Sequence, residues 1–263
     1  NQQLSTSSMV QIPIYLSTSL QKLNLSGNKN INATILWQLL KQCSQLKEID
    51  VSYCINIVNT NNNTPSNNTS FSCTLETLNL SECSHIHLDY LYTLLSNLLI
   101  SSQHSLVSLS LDNISYIDED ILTCIQQYNQ LEILTLNDCT HICPLFGQYS
   151  TQLKYLSLSY HVQLTDSSLS FLTFTSFLTS LTLTNAIYIT DHSMMNITQH
   201  CHHIEELYLS GCESLTSLSM KYIGKYTFNT LKILHIAECR QITNHGIACL
   251  RTCTLLTQLD LLG

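Results

Sequence analysis

The chain has 263 residues, of which 44% are hydrophobic and only 11% charged, with 47 Leu, 6 Gly and 3 Pro, a composition that excludes collagenous and Pro/Gly-rich disordered chains. Its net charge is −8, from 18 acidic and 10 basic residues without a Lys/Arg run, so the clustered cations that bind a phosphate backbone are missing and no nucleic-acid partner is expected. No apolar run reaches the roughly 18 residues that span a bilayer; the nearest, from Tyr90 to Ile100, is interrupted by Thr93, Ser96 and Asn97, and no membrane partner is expected.

Residues 1–19 read as an N-terminal flanking segment or partial cap, beginning at Asn1 without a basic-then-apolar leader. From Leu20 the pattern L-x-x-L-x-L recurs, with first residues at Leu20, Leu46, Leu75, Leu106, Leu131, Leu153, Leu178, Ile204, Leu231 and Leu256. Counting each first residue as offset 0, offsets 0, 3 and 5 are aliphatic in every repeat. Offset 11 is aliphatic in the nine repeats that reach it, for example Ile57, Leu164 and Ile189. Alternating Leu in x-L-x-L point to one side of a short strand. Such a unit buries them only by stacking on its neighbours, so the repeats predict a parallel sheet with return segments on the other side. The predicted architecture over 20–263 is an α/β solenoid, a horseshoe with strands on the concave face and mostly helices on the convex face.

Thr165-Asp166, Thr190-Asp191 and Thr243-Asn244 follow the offset-11 aliphatic, and these side chains accept bonds from the free amides of a first helical turn. Two return segments deviate. The polar stretch near 59–72, with Pro65, predicts a disordered loop; the 22-residue repeat at Leu131, with Pro144, predicts one turn or irregular chain. The last repeat stops at Leu261-Leu262-Gly263 without a polar cap, so a further repeat or domain is expected to follow.

Five of the twelve Cys occupy offset 8 (Cys54, Cys83, Cys139, Cys212, Cys239), and Cys43, Cys201 and Cys253 precede the next repeat by three residues. A recurrent position in a solenoid is a packing slot, and a free thiol fills it as a small apolar group. The expected state is a reduced, buried thiol in an intracellular protein, cytoplasmic or nuclear. Disulfides such as Cys54 with Cys83 are geometrically conceivable between adjacent strands. Cys139-x-His141-x-Cys143, Cys83-x-His85-x-His87 and His200-Cys201-His202-His203 hold ligand types but lack the paired C-x-x-C of a zinc site. No metal or cofactor is expected.

Segments such as LHIAECRQITNHGIACLRTC from Leu234 and LTLTNAIYITDHSMMNITQHC from Leu181 resemble the cysteine-containing leucine-rich repeat, LxxLxLxxCxxITDxxLxxLxxxCxx. Proteins with that repeat are mostly F-box/LRR proteins and box-less relatives. The resemblance implies substrate recognition for a cullin-ring (SCF) ubiquitin ligase, with docking on the ligase adaptor through an F-box. No F-box is visible in residues 1–19, so that adaptor is implied only if one lies upstream of Asn1. The alternatives are a box-less regulator that sequesters a partner protein and an architectural subunit of a large assembly.

The predicted docking surface is the strand face, offsets 2, 4, 6 and 7. Eight of those 40 positions are acidic and only Lys22 is basic, which predicts a protein partner with a basic segment. The candidate residues are Glu48, Asp50, Tyr53, Glu82, Asp138, Tyr155, Tyr160, Glu206, Tyr208, His235 and Glu238, Tyr being an efficient interface anchor. A hot spot is expected at Glu206, Tyr208, His235 and Glu238, and a second around Tyr155 and Tyr160. There is no G-x-S-x-G, no H-E-x-x-H and no P-loop, so the chain reads as a binding module rather than an enzyme.

Overall fold

The protein is described by a computed structural model over residues 4–58, 71–114, 116–139, 152–161 and 163–262. It divides into two compact units, Asn1–Leu131 and Glu132–Gly263. The architecture is the α/β repeat solenoid expected from the Leu spacing.

In the first unit, α1 (Thr6–Leu16) starts at Ser5, whose hydroxyl accepts the Ser8 amide at 3.2 Å, and it packs on α2 (Ala33–Gln42). Strands β1 (Lys22–Asn24), β2 (Glu48–Asp50), β3 (Thr77–Asn79) and β4 (Ser108–Ser110) run parallel in chain order. Their register places offset 2 beside offset 2, as in Lys22 beside Glu48 and Glu48 beside Thr77. The return segments are α2, α3 (Leu88–Ser102) and α4 (Glu119–Ile125). Trp37 on α2 meets Phe71 edge-on at 4.7 Å and lies 6.3 Å from Tyr90. The Tyr90 hydroxyl donates to the Ala33 carbonyl at 2.9 Å and the Tyr128 hydroxyl to Leu95 at 2.6 Å, so both rings are buried without an orphaned oxygen. Residues 59–70 of the predicted loop lie outside the described residues; Phe71 and Cys73, which follow, are buried.

The second unit repeats the strand pattern six times: β5 (Ile133–Thr135), β6 (Tyr155–Ser157), β7 (Ser180–Thr182), β8 (Glu206–Tyr208), β9 (Ile233–His235) and β10 (Gln258–Asp260). All neighbours are parallel and in the same register. Return segments are a 3-10 helix (Ser167–Phe174), α5 (Asp191–His200), α6 (Ser217–Tyr226), α7 (Asn244–Cys249) and a 3-10 turn (Leu250–Thr252). The segment around Pro144 lies outside the described residues.

From Leu46 to Leu234, every first Leu or Ile and every offset-3 aliphatic is fully buried. The three-residue strands are extended by regular bonds beyond them. The offset-5 amide reaches the next repeat's offset-4 carbonyl and the offset-7 amide its offset-6 carbonyl, as in Leu25 to Asp50 (2.8 Å) and Gly27 to Ser52 (2.7 Å). To make that second bond and leave the sheet, offset 7 turns into the left-handed region in all nine repeats that complete the turn. Only Gly27 and Gly211 are glycine; Tyr53, Glu82, Asn113, Asp138, Tyr160, Asn185 and Glu238 have φ between 53° and 65°. For a non-glycine residue this geometry costs roughly 1–2 kcal/mol.

Two sequence expectations are corrected. The segment after Thr165-Asp166 is a 3-10 helix, because Ser170, Thr173 and Thr175 each donate a hydroxyl to the carbonyl three residues earlier (2.8, 2.9 and 2.8 Å), which tightens the turn. Asp166 also makes no side-chain cap to its own segment. Its carboxylate accepts the Thr190 amide (2.8 Å) and the hydroxyls of Thr190 (2.6 Å) and Ser193 at the start of α5. Asp191 repeats this one unit on, accepting from the Thr216 amide (3.0 Å) and hydroxyl (2.7 Å) and from Ser219 at the start of α6. The Asp therefore caps the neighbouring repeat's helix. Thr190 does cap its own, accepting the His192 amide at 3.2 Å, whereas Thr243 makes no side-chain cap.

Candidate protein-binding face

Side chains at offsets 2 and 4 alternate with the buried offset 3 and project from the sheet face. In the first unit, most of the candidate acids are engaged with neighbours. Glu48 pairs with Lys22 at 2.7 Å. Asp50 accepts the Asn24 side-chain amide (3.1 Å) and the Ser52 backbone amide (2.9 Å), shaping the end of its own strand. Glu82 accepts from Asn113 at 2.6 Å. Tyr53, in left-handed geometry, is exposed.

The second unit brings several candidates together. The registered strands line up Tyr155, Ser180 and Glu206 in one row and Thr182, Tyr208, His235 and Asp260 in the next. The Tyr208 and His235 rings meet edge-on at 4.8 Å. Glu206 accepts the Ser180 hydroxyl at 2.9 Å and the Tyr208 hydroxyl at 3.4 Å. Partial burial, then the nearby Glu206 carboxylate, raises the Tyr208 phenol above its ordinary range, which keeps it a donor. His235 Nε2 lies 2.8 Å from the Gln258 side-chain amide and Nδ1 lies 3.7 Å from the Asp260 carboxylate. With Gln258 donating, the neutral ring carries its proton on Nδ1, facing Asp260.

Of the expected hot spot, Glu206, Tyr208 and His235 converge. Glu238 sits instead at the left-handed turn and pairs with Arg240 at 3.2 Å. Tyr160 and Asp138 occupy the same turn position, Tyr160 exposed. Sequence reasoning did not place Asp260 and Gln258 in this cluster; their offsets, 4 and 2 of the last repeat, were sufficient to find them.

The offset-8 slot is more than apolar filling. Cys54, Cys83, Cys212 and Cys239 donate their thiols to the offset-5 carbonyl of the preceding repeat (Leu25, Val51, Leu183, Leu209) at 3.1–3.2 Å. His161, at the same offset, directs Nε2 to Leu136 in the same way. Burial raises these thiols, Cys83 and Cys212 to about 12, so they stay protonated donors. All eleven described cysteines are free thiols, ten of them buried.

The candidate metal-ligand runs are otherwise occupied. His85 Nδ1 lies 3.2 Å from the Ile55 carbonyl, His87 accepts the Asp89 amide at the start of α3, and Cys201 donates to Leu172. His141 and Cys143 lie outside the described residues. Among the described residues, no group of three or more His, Cys, Asp or Glu is placed to hold a metal ion. No helix among them is long and apolar enough to cross a membrane.

Comparison with known proteins agrees with the repeat fold. The family model described as a Leucine Rich repeat matches residues 16–36 and 200–224. No curated protein matches the chain. Among solved structures, the yeast complex of Rad7 and Elc1 contains a chain of similar fold, with a TM-score of 0.52 and 19% identity over 99% of this chain and 84% of that one. Ten aliphatic repeats, their registered parallel strands and these matches give the chain the fold of a leucine-rich-repeat solenoid.

Proposed function

We propose that this chain is a protein-docking solenoid and that the sheet face of its second unit receives a partner segment carrying Lys or Arg. One observation carries the reading: Glu206 and Asp260 flank the Tyr208–His235 ring pair, and among the described residues neither carboxylate has a Lys or Arg within 4.0 Å. Elsewhere on the same face Glu48 and Glu238 are already neutralised by neighbouring cations. An aromatic platform between two uncompensated carboxylates suits a cation, which the rings contact and the carboxylates pair. Tyr155 stands two strands away in the row of Glu206, with Ser180 between them. The chain itself supplies no catalytic step in this reading, and its protonated thiols suit a reducing, intracellular setting.

The finer proposal is that the docked protein is a substrate presented to a cullin-ring ubiquitin ligase. It is supported by the resemblance of the repeats to F-box/LRR proteins and by the structural neighbour's determination as a complex with a second protein. Tagged full-length protein purified from its native cell, with co-purifying proteins identified by mass spectrometry, tests it. A cullin and its adaptor are the expected co-purifying proteins; a single dominant partner at equal stoichiometry without them would move the function to a regulator or scaffold. Glu206→Lys is expected to weaken capture of the partner at least tenfold, and unchanged affinity would remove this face from the proposal.

A further inference from the structure

Cations are scarce in this protein, and their placement is uneven. Lys22, Lys47, Lys154, Lys232 and Arg240 each lie within 4.0 Å of a carboxylate. Of the other five Lys/Arg, three line a single cavity of 510 Å³ on the helix side of the second unit, between α6 and the segment formed by α7 and the 3-10 turn after it. Lys221 and Lys225 stand one turn apart on α6, Arg251 faces them from the next repeat, and His245 on α7 completes the lining. No acidic residue lines the cavity.

The walls are held close. A Cβ on Gly224 would come within 2.3 Å of the Cys249 carbonyl oxygen, and one on Gly246 within 3.0 Å of the Ser217 Cα. The Thr252 hydroxyl donates to the Gly224 carbonyl at 2.6 Å, tying α6 to the turn that carries Arg251. Lys225 donates to the Tyr226 hydroxyl at 2.9 Å and stands in the last turn of α6, where the helix dipole favours a cation. Arg251 likewise stands at the end of its segment, in the 3-10 turn, but Lys221 lies in the middle of α6, and neither Lys221 nor Arg251 has a carboxylate within 4.0 Å among the described residues. Like charges one turn apart repel, so the cluster is disfavoured unless an anion joins it.

We propose that this cavity binds a small molecule carrying two or more linked phosphate groups, with Lys221, Lys225 and Arg251 as the phosphate-binding side chains. Multiple charges are required because three cations from two repeats converge on one space, and a linked phosphate chain can contact all of them at once. The site lies on the helix side and involves none of the residues assigned to protein docking, so the two readings stand or fall separately.

Cys249 provides a local readout. It lines the cavity and is half-buried, whereas the other ten described cysteines are buried. Full-length protein is alkylated with N-ethylmaleimide at constant ionic strength, and the rate at Cys249 is followed by peptide mass spectrometry. Inorganic tripolyphosphate is expected to slow that reaction at least fivefold and orthophosphate less than twofold. ATP should protect as tripolyphosphate does, because the phosphate chain is the recognised group. In the exposed double variant Lys221→Gln/Arg251→Gln, with an unchanged circular dichroism spectrum and melting temperature, calorimetric affinity for tripolyphosphate should fall at least tenfold. No protection at millimolar tripolyphosphate, equal binding by the variant, or protection by ATP alone would each overturn the assignment.

Discussion

The two units build the same strand ladder and close it by different chemistry. In the first, the return helices are tied by large rings: Trp37 against Phe71, and Tyr90 and Tyr128 each buried with a hydroxyl on a backbone carbonyl. In the second, the return segments are smaller and richer in Ser and Thr, and at two successive junctions Asp166 and Asp191 link one repeat to the next through helix-start amides and hydroxyls. A shared strand register therefore leaves the outer layer free to be stabilised by apolar burial or by a polar chain of caps. The first is insensitive to protonation; the second depends on ionised carboxylates.

The largest effect is expected at the apolar side of this contrast. Trp37→Ala removes a buried indole that touches two other rings and should destabilise the first unit by about 3–5 kcal/mol, measured as a shift in urea midpoint. A loss below about 1 kcal/mol would show that Phe71 and Tyr90 close the space by themselves.

Next is the polar side. Burial opposes ionisation of Asp191, but bonds from Ser219 and Thr216 outweigh it and hold its carboxyl below the usual range; Asp166 behaves alike through Ser193 and Thr190. A carboxylate depressed in the folded state stabilises above its unfolded pKa of about 4, and this contribution disappears as pH falls through the lower folded value. Asp191→Asn should cost about 1 kcal/mol at neutral pH. It should also flatten the fall in stability below about pH 4, read from denaturation midpoints between pH 2 and 7. The same acid slope in the variant would exclude this carboxylate as a source.

The smallest effect tests a feature common to both units. Tyr160→Gly and Tyr53→Gly remove exposed side chains from left-handed backbone, and each should stabilise the fold by a few tenths of a kcal/mol up to about 1 kcal/mol, the relief of strain being partly offset by the freer unfolded glycine chain. Thermal melting checks this. Destabilisation by either would mean that the ring makes packing contacts that outweigh its backbone strain.

Much of this was legible in the chain. Aliphatic offsets 0, 3, 5 and 11 placed the strands, their register and the buried face, because the side-chain alternation of a strand is strict and each repeat solves the same burial problem. The left-handed turn left a trace that was available but unused: offset 7 holds Gly, Asn or Asp in Gly27, Asn113, Asp138, Asn185 and Gly211, the residue types that tolerate positive φ. The docking face was legible only as a set of positions. Glu48 and Glu206 share offset 2, yet one is neutralised by Lys22 and the other accepts only hydroxyls, since the pairing depends on which side chain the adjacent repeat presents.

Sequence by itself thus determined the repeat, the strand alternation and the buried aliphatic face, all of which follow from local periodicity. Tertiary structure decided that the offset-8 thiols donate to the preceding repeat, that Asp166 and Asp191 cap the following one, and that Lys221, Lys225 and Arg251 share one cavity. The partners in these contacts lie about one repeat apart in the chain, and only the stacking of one repeat on the next brings them within reach.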